Sequence, residues 1–521
     1  MAVKHSVNTG AVIHIGSNGV RLRIAQVKKG EVEELERLDY PLPIGHEVFS
    51  THRISYTTTR AICRVIKGFL QLLDEYKVKN LRAVAASALR DADNRALVVD
   101  QVRVQCGITV EILENSQEKS IIYFKMAEAV RAAVKEVPQT VMYAFVGSGT
   151  IGFAFEEKGQ IVYSQNIYIG ALKLHDMLAS VRENTSDFGR VIEEYLQATL
   201  EFQSMIHLKG RVDRLVISGS SLEKVAKIAE GRLENGVYRV DARNVKNLYE
   251  QVKNRPAYQL TLDYKIPESS AELLFSVLAI YLELIGMTGV AEVMLPRKIL
   301  ADGIMEQMML PMKRKKYKEY VQKNAVSCAW SAAYFYECHE AHTKFVEKMA
   351  LELFDRLKKL HGLGEQERLM LQLAAILHGC GGMVSARHHL SATYDIVRQL
   401  DIYGITRQEL VEVARIARYD EYAKPDFADK KNRHDDNERD TVLLKLIAIF
   451  RIAGALDVSY RQKIKAIKVN VKETEVIVTA DAREGTQLEK WAFDQCTDLF
   501  KAVFGLWPVL KSRHRLLKGD K

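Results

Sequence analysis

Two glycine-serine bends, set far apart in the chain, constrain its fold more than any other feature. Ala11–Ile15 is apolar and β-branched. Gly16-Ser17-Asn18-Gly19 follows, and Val20–Val27 then alternates through Val20, Leu22 and Ile24. Much later Val141–Val146 is apolar, Gly147-Ser148-Gly149-Thr150 follows, and Ile151–Phe155 resumes. Each copy reads as strand, small-residue turn, strand. A further strand candidate comes after each, Glu31–Leu38 in the first and Gln160–Tyr163 in the second. Either copy alone is also an ordinary β-hairpin, but two similar copies in one chain weaken that reading. Turns of small residues leave backbone N–H groups unobstructed, and such concavities accept phosphate oxygens.

Between the copies, Tyr56–Tyr76 places Ile62, Val65, Ile66, Phe69, Leu70 and Leu73 at helical spacing. Leu81–Ala85 predicts a buried strand ending in Ser87-Ala88-Leu89-Arg90, and Ile108–Leu113 predicts another. Glu114–Val130 predicts a helix with Glu118 in its first turn, where the helix dipole favours an acid. By position alone Glu118 is a helix-start charge and Arg90 a surface arginine. Strand ends beside glycine turns are also where α/β sheets hold ligands.

The 521 residues are enough for several domains. With only 9 Pro and 30 Gly, disordered and collagen-like classes are excluded. None of the six cysteines stands in CxxC spacing, which favours a reducing cytoplasm over a disulfide framework or zinc finger. The N-terminus lacks a signal-peptide pattern. The apolar run Leu273–Val290 is interrupted by Glu283 and predicts a buried helix, so no membrane is expected. The net charge is +9, with basic runs at Lys313–Lys318 and Lys511–Lys521. These read as a linker and a solvated tail, or else as a surface for a polyanion. No nucleic-acid-binding signature accompanies them.

At the bends the chain resembles the exopolyphosphatase and guanosine-pentaphosphate phosphatase (Ppx/GppA) family. His14-Ile-Gly-Ser-Asn-Gly-Val-Arg-Leu22 is similar to the family's D-I-G-S-N-S-x-R-L, and Ala86-Ser-Ala-Leu-Arg-Asp-Ala-Asp-Asn94 to its T-S-A-x-R-x-A-x-N. Gln117-Glu118 resembles the E-E of I-S-G-x-E-E-A-R, and Val146-Gly-Ser-Gly-Thr150 sits where D-I-G-G-G-S is found. Ile169-Gly-Ala-Leu-Lys-Leu174 resembles L-G-A-x-R-L, and Ser218–Ser221 falls near a G-G-T. Further on, Leu377-His378, His388-His389, Ile416–Tyr419 and Arg451–Asp457 resemble the family's helical HD-type domain.

The resemblance implies an α/β fold of two actin/Hsp70-like (ribonuclease H-like) ATPase lobes. An all-α HD-type domain and a small α+β C-terminal segment would follow. The expected boundaries are 1–135, 136–308, 319–462 and 463–521. It implies hydrolysis of a terminal phosphoanhydride in polyphosphate or in guanosine pentaphosphate. Gly16, Ser17, Asn18, Arg21, Ser87 and Gly147, Ser148, Gly149, Thr150 would hold the phosphate. Arg90 would steady it, and Glu118 would act as general base. A cytoplasmic homodimer is implied as well.

The departures fall on the metal. Acids that hold a divalent cation, Mg²⁺ or Mn²⁺, in the family are replaced by His14, Phe145 and Gly152. In the HD-type region Gly379 follows His378 where an acid is usual, and Gly454 replaces another. His342, His378, His388 and His389 remain. Two readings stay open, a hydrolase with an eroded metal site and a weak or inactive homologue that senses polyphosphate, guanosine tetra- or pentaphosphate, or a nucleotide. Restoring acids at 14, 145 and 152 would raise activity if only the metal shell were lost.

Overall fold

The computed structural model describes residues 9–134, 136, 138–178, 181, 185, 188–204, 212–219, 221–253, 255–297, 300–419 and 437–514. It divides into two compact units, Met1–Asn324 and Ala325–Lys521.

In the first unit the alternation around the first bend becomes strands β1 (Thr9–Gly16) and β2 (Gly19–Lys28), followed by β3 (Glu31–Pro41). Their inward residues Ile13, Ile15, Val20, Leu22 and Ile24 are fully enclosed. The crossover helix Tyr56–Glu75 starts at Ser55, whose hydroxyl accepts from the Thr58 N–H, and leads into β4 (Asn80–Ala85). The helix Arg95–Cys106 then leads into β5 (Val110–Ile112). The sheet order is β3-β2-β1-β4-β5, with β1, β4 and β5 parallel.

The second copy repeats this. Strands β6 (Thr140–Val146), β7 (Ile151–Glu157) and β8 (Gln160–Ile167) form the antiparallel part. After them come β9 (Arg214–Gly219), β10 (Arg232–Glu234), β11 (Val237–Asp241) and β12 (Glu292–Pro296). The order is β10-β11-β12-β9-β6-β7-β8. Reading β8-β7-β6-β9-β12 against β3-β2-β1-β4-β5 gives the same five-strand arrangement, with a bulge between β2 and β3 and between β7 and β8. The apolar run falls in the helix Glu268–Thr288. Among the described residues it is the one helix long and apolar enough to cross a membrane, and Leu274, Val277, Leu278, Ile280, Tyr281 and Leu284 bury it in the core of this lobe.

Each lobe then places a helix against its own bend. The helix Ile44–Thr51 follows β3, and its Gly45 N–H donates to the Ser17 carbonyl at 2.7 Å. The helix Ala171–Met177 follows β8. Its Ala171 N–H donates to the Gly147 carbonyl at 2.9 Å, and Leu172 and Lys173 donate to the Ser148 carbonyl at 3.1 and 3.0 Å. The otherwise unpaired N–H groups of a helix start are thus satisfied by bend carbonyls. The two helices meet, with Gly45 against Leu172 and His46 Nδ1 3.1 Å from Asp176.

The basic run Lys313–Lys318 is not a linker. It lies within the helix Pro311–Phe335. Lys and Arg are good helix formers, and proline is well suited to a first helical turn. Lys313 Nζ is held by Glu128 at 2.7 Å.

Between 325 and 455 the described residues of the second unit are mostly helical. Its helices include Glu340–Arg356, Glu365–Leu377, Arg407–Ala417 and Asn437–Ala455. A three-stranded sheet follows, β13 (Ile464–Val471), β14 (Glu475–Ala482) and β15 (Trp507–His514), with the helix Gln487–Phe504 crossing from β14 to its parallel neighbour β15. Lys511–His514 is therefore sheet rather than solvated tail. Residues 515–521 lie outside the described residues.

Candidate functional site

Both bends open on one cavity of about 420 Å³ between the lobes. Gly16, Ser17, Asn18, Arg21 and Ser87 line it from one side, and Gly147, Ser148 and Thr150 from the other. Gly147 N–H closes its bend onto the Thr150 carbonyl at 2.9 Å. The helix starts take the carbonyls of Ser17, Gly147 and Ser148. Ser17 Oγ lies 3.1 Å from Ser87 Oγ, which ties the first bend to the end of β4. Gly149 does not line the cavity; it packs on Phe49 and Ser87.

Six cationic side chains line the same space: Arg21, Arg23, Arg37, Lys224, Lys227 and Arg297. They face three acids, Glu118, Asp39 and Glu223. Asp39 is 3.2 Å from Arg21, and Glu223 is 3.4 Å from Arg297. The balance suits an anion of several charges. Of these cations, sequence motifs drew attention to Arg21 alone. The others come from β2, β3 and the segments after β9 and β12, elements that only the fold brings together.

Glu118 lines the cavity and is buried. Burial alone would raise its pKa, but the neighbouring charges of Lys119 and Arg90 hold the carboxyl below its usual range. Arg90 does not line the cavity. Its Nη1 donates to Glu118 Oε2 at 3.1 Å and to the Leu113 carbonyl at 2.7 Å, while Nε and Nη2 are buried without partners. Arg90 thus fixes Glu118, and two guanidinium donors stay uncommitted.

His14 also lines the cavity. Burial, then Arg21, lowers its pKa to about 4, so the imidazole is neutral at physiological pH. Its Nε2 is shielded and has no hydrogen-bond partner.

Of the three departed positions, two offer no ligand to a divalent cation, and the one imidazole of His14 is not a site by itself. Phe145 and Gly152 are directly paired across β6 and β7, and neither offers a ligand. The Phe145 ring centroid lies 4.6 Å from Lys119 Nζ. A Cβ built on Gly152 would meet Tyr123 Oη at 2.6 Å, Lys119 Cε at 2.8 Å and Asn166 Oδ1 at 3.0 Å. An acid at 152 would therefore have to displace Lys119 and Tyr123. Returning it is not the simple restoration that the sequence suggests.

In the second unit, His342 and His378 come together with ring centroids 5.3 Å apart, and the charge of His389 also reaches His378. His342 Nδ1 is 2.9 Å from Asp457 Oδ2, and its ring stacks on Tyr460 with centroids 3.8 Å apart. His378 bonds the Ala375 carbonyl through Nδ1, and burial, then His342, lowers its pKa to about 4. Among the described residues, no group of three or more His, Cys, Asp or Glu is spaced for a metal ion.

Two repeated lobes of this topology, with paired bends opening on one cleft whose cations outnumber its acids, define an actin-like α/β fold. Residues 23–311 match the family model of the Ppx/GppA phosphatase family, and residues 328–494 match that of Ppx/GppA phosphatase domain III. The chain belongs to the Ppx/GppA phosphatase family. The match begins past the first bend, so Gly16, Ser17, Asn18 and Arg21 enter the site by geometry. The chain is similar in fold to an exopolyphosphatase of Cytophaga hutchinsonii, at 16% identity and a TM-score of 0.51 over 58% of this chain and 97% of that one. It also matches a Ppx/GppA family member of Aquifex aeolicus at 20% identity over 60% and 99% of the two chains, with a TM-score of 0.47.

Proposed function

We propose that the cleft binds the terminal phosphates of a linear phosphoanhydride, inorganic polyphosphate or guanosine penta- or tetraphosphate, and that hydrolysis there is slow. The observation that carries this reading is the pair of bends lining one cavity whose cations outnumber its acids. Phosphoryl transfer is positioning plus charge neutralisation, and the cleft supplies both. The general base is the weak part. A carboxylate held below its usual pKa by two cations takes a proton from water poorly.

The hydrolase reading keeps support from one feature, the Glu118 carboxylate on the wall of the same cavity. Water placed between it and a phosphorus held by the bends would be activated by one hydrogen bond. Titration calorimetry and a phosphate-release assay separate the two readings. Expected are micromolar binding of tripolyphosphate and phosphate release far below a typical enzymatic turnover of about 10 s⁻¹. Glu118→Gln is expected to abolish the residual release and to keep binding within about tenfold, since it leaves both bends in place. Absence of binding by the intact protein would refute the reading.

A further inference from the structure

We propose that the ammonium of Lys119 takes the place in this cleft that a divalent cation holds in the family pattern, so that phosphate is bound here without metal. The inference rests on the phosphate reading above and adds which cation serves it.

The positions of Phe145 and Gly152 face each other across β6 and β7. In the resembling family both carry acids. Here the tip of one lysine fills the space they would share. Lys119 Nζ lies over the Phe145 ring at 4.6 Å, and its Cε is 2.8 Å from where a Cβ of residue 152 would stand. Losing the two acids and gaining a buried cation is one compensated exchange. A lysine among the original acids would be a salt bridge, and a metal beside this lysine would be repelled.

The contacts of Lys119 are those of a positioning residue. It is 2% exposed. Its Nζ donates to Thr150 Oγ1 at 3.0 Å and lies 3.7 Å from Glu118 Oε2. A threonine hydroxyl that accepts from an ammonium keeps its own hydrogen to donate. Thr150 lines the cavity, so that hydrogen is available to a phosphate oxygen. Lys119 thus acts on the anion through Thr150 and through its charge, which water screens little at this depth. Burial lowers its pKa to about 8, against the opposing pull of Glu118, and most of the ammonium is still protonated at neutral pH.

The test is calorimetric titration of the full chain with tripolyphosphate, in excess EDTA and in excess Mg²⁺, with free ligand corrected for its Mg²⁺ complex. Wild type is expected to bind equally, within about threefold, in both buffers. Lys119→Met should weaken binding by roughly tenfold to a hundredfold, as for loss of a charged hydrogen bond. Lys119→Arg should recover most of it, which a purely structural role for the side chain would not produce. Thr150→Val, which keeps the lysine, should weaken binding by about tenfold. If Lys119→Met fails to fold, the wild-type comparison and Thr150→Val still decide. Binding by wild type that EDTA abolishes and Mg²⁺ restores would overturn the inference and leave the phosphate reading standing. Undiminished binding by folded Lys119→Met would also overturn it. No binding by wild type in either buffer would overturn the phosphate reading, and this inference with it.

Discussion

Gly170→Ala should abolish anion binding and cost about 3 kcal/mol or more of stability, at the upper end of overpacking changes. A Cβ at 170 would stand 2.4 Å from the Ser148 carbonyl carbon, 2.5 Å from the Gly147 oxygen and 2.5 Å from the Gly149 nitrogen. All three are backbone atoms of the second bend. They cannot retreat without opening the turn that presents its amides. The same residue opens the helix Ala171–Met177, whose first N–H groups hold the bend carbonyls. One methyl therefore strains the bend and its anchor together. Gly286→Ala is the control. It lies within the helix Glu268–Thr288, and an added Cβ would meet nothing within 4 Å. That change should stabilise by about 0.5–1 kcal/mol, the usual helix-interior preference of alanine over glycine. Denaturant unfolding and tripolyphosphate titration read both variants. Normal binding by Gly170→Ala would show that the bend is not held as described.

Arg90→Met should destabilise the first unit by about 3 kcal/mol, as for breaking a buried ion pair from one side. Side-chain exposure is 14% for Arg90 and 5% for Glu118, so little water could replace the lost guanidinium. Glu118 would keep only Lys119, and its pKa would rise. The Leu113 carbonyl would also lose its donor. Adding Glu118→Gln to Arg90→Met should recover about 1–2 kcal/mol, because the buried charge is then removed as well. Denaturant unfolding of the two single variants and the double variant measures that coupling. Strict additivity would mean that Arg90 and Glu118 do not act as a pair.

The two hairpins were legible because their period-two apolar pattern ends on residues that tolerate tight turns. Their pairing around one cavity was legible only as repetition. The same five-strand order in both lobes depends on β12, which a long helical excursion separates from β9. Glu118 was visible as a first-turn acid. Lys119 was not, because a lysine inside a helix reads as a solvated charge. Its neighbours Phe145, Thr150 and Gly152 come from β6, the second bend and β7, and no local spacing announces that contact. The basic run at 313 reads as a linker because charge runs are often solvated. Pro311 at the helix start and the Lys313–Glu128 pair make it a helix. The strand Trp507–His514 was hidden by its basic residues, since an edge strand can carry lysine and arginine on its open side.

The claim on which the rest depends is that both bends grip one anion. Hydrogen exchange of the full chain with and without tripolyphosphate tests it most directly, read on peptides covering residues 14–20 and 146–152. The two peptides should become protected together, with the same dependence on ligand concentration. Protection of one without the other, or of neither while ligand binds elsewhere, would contradict it.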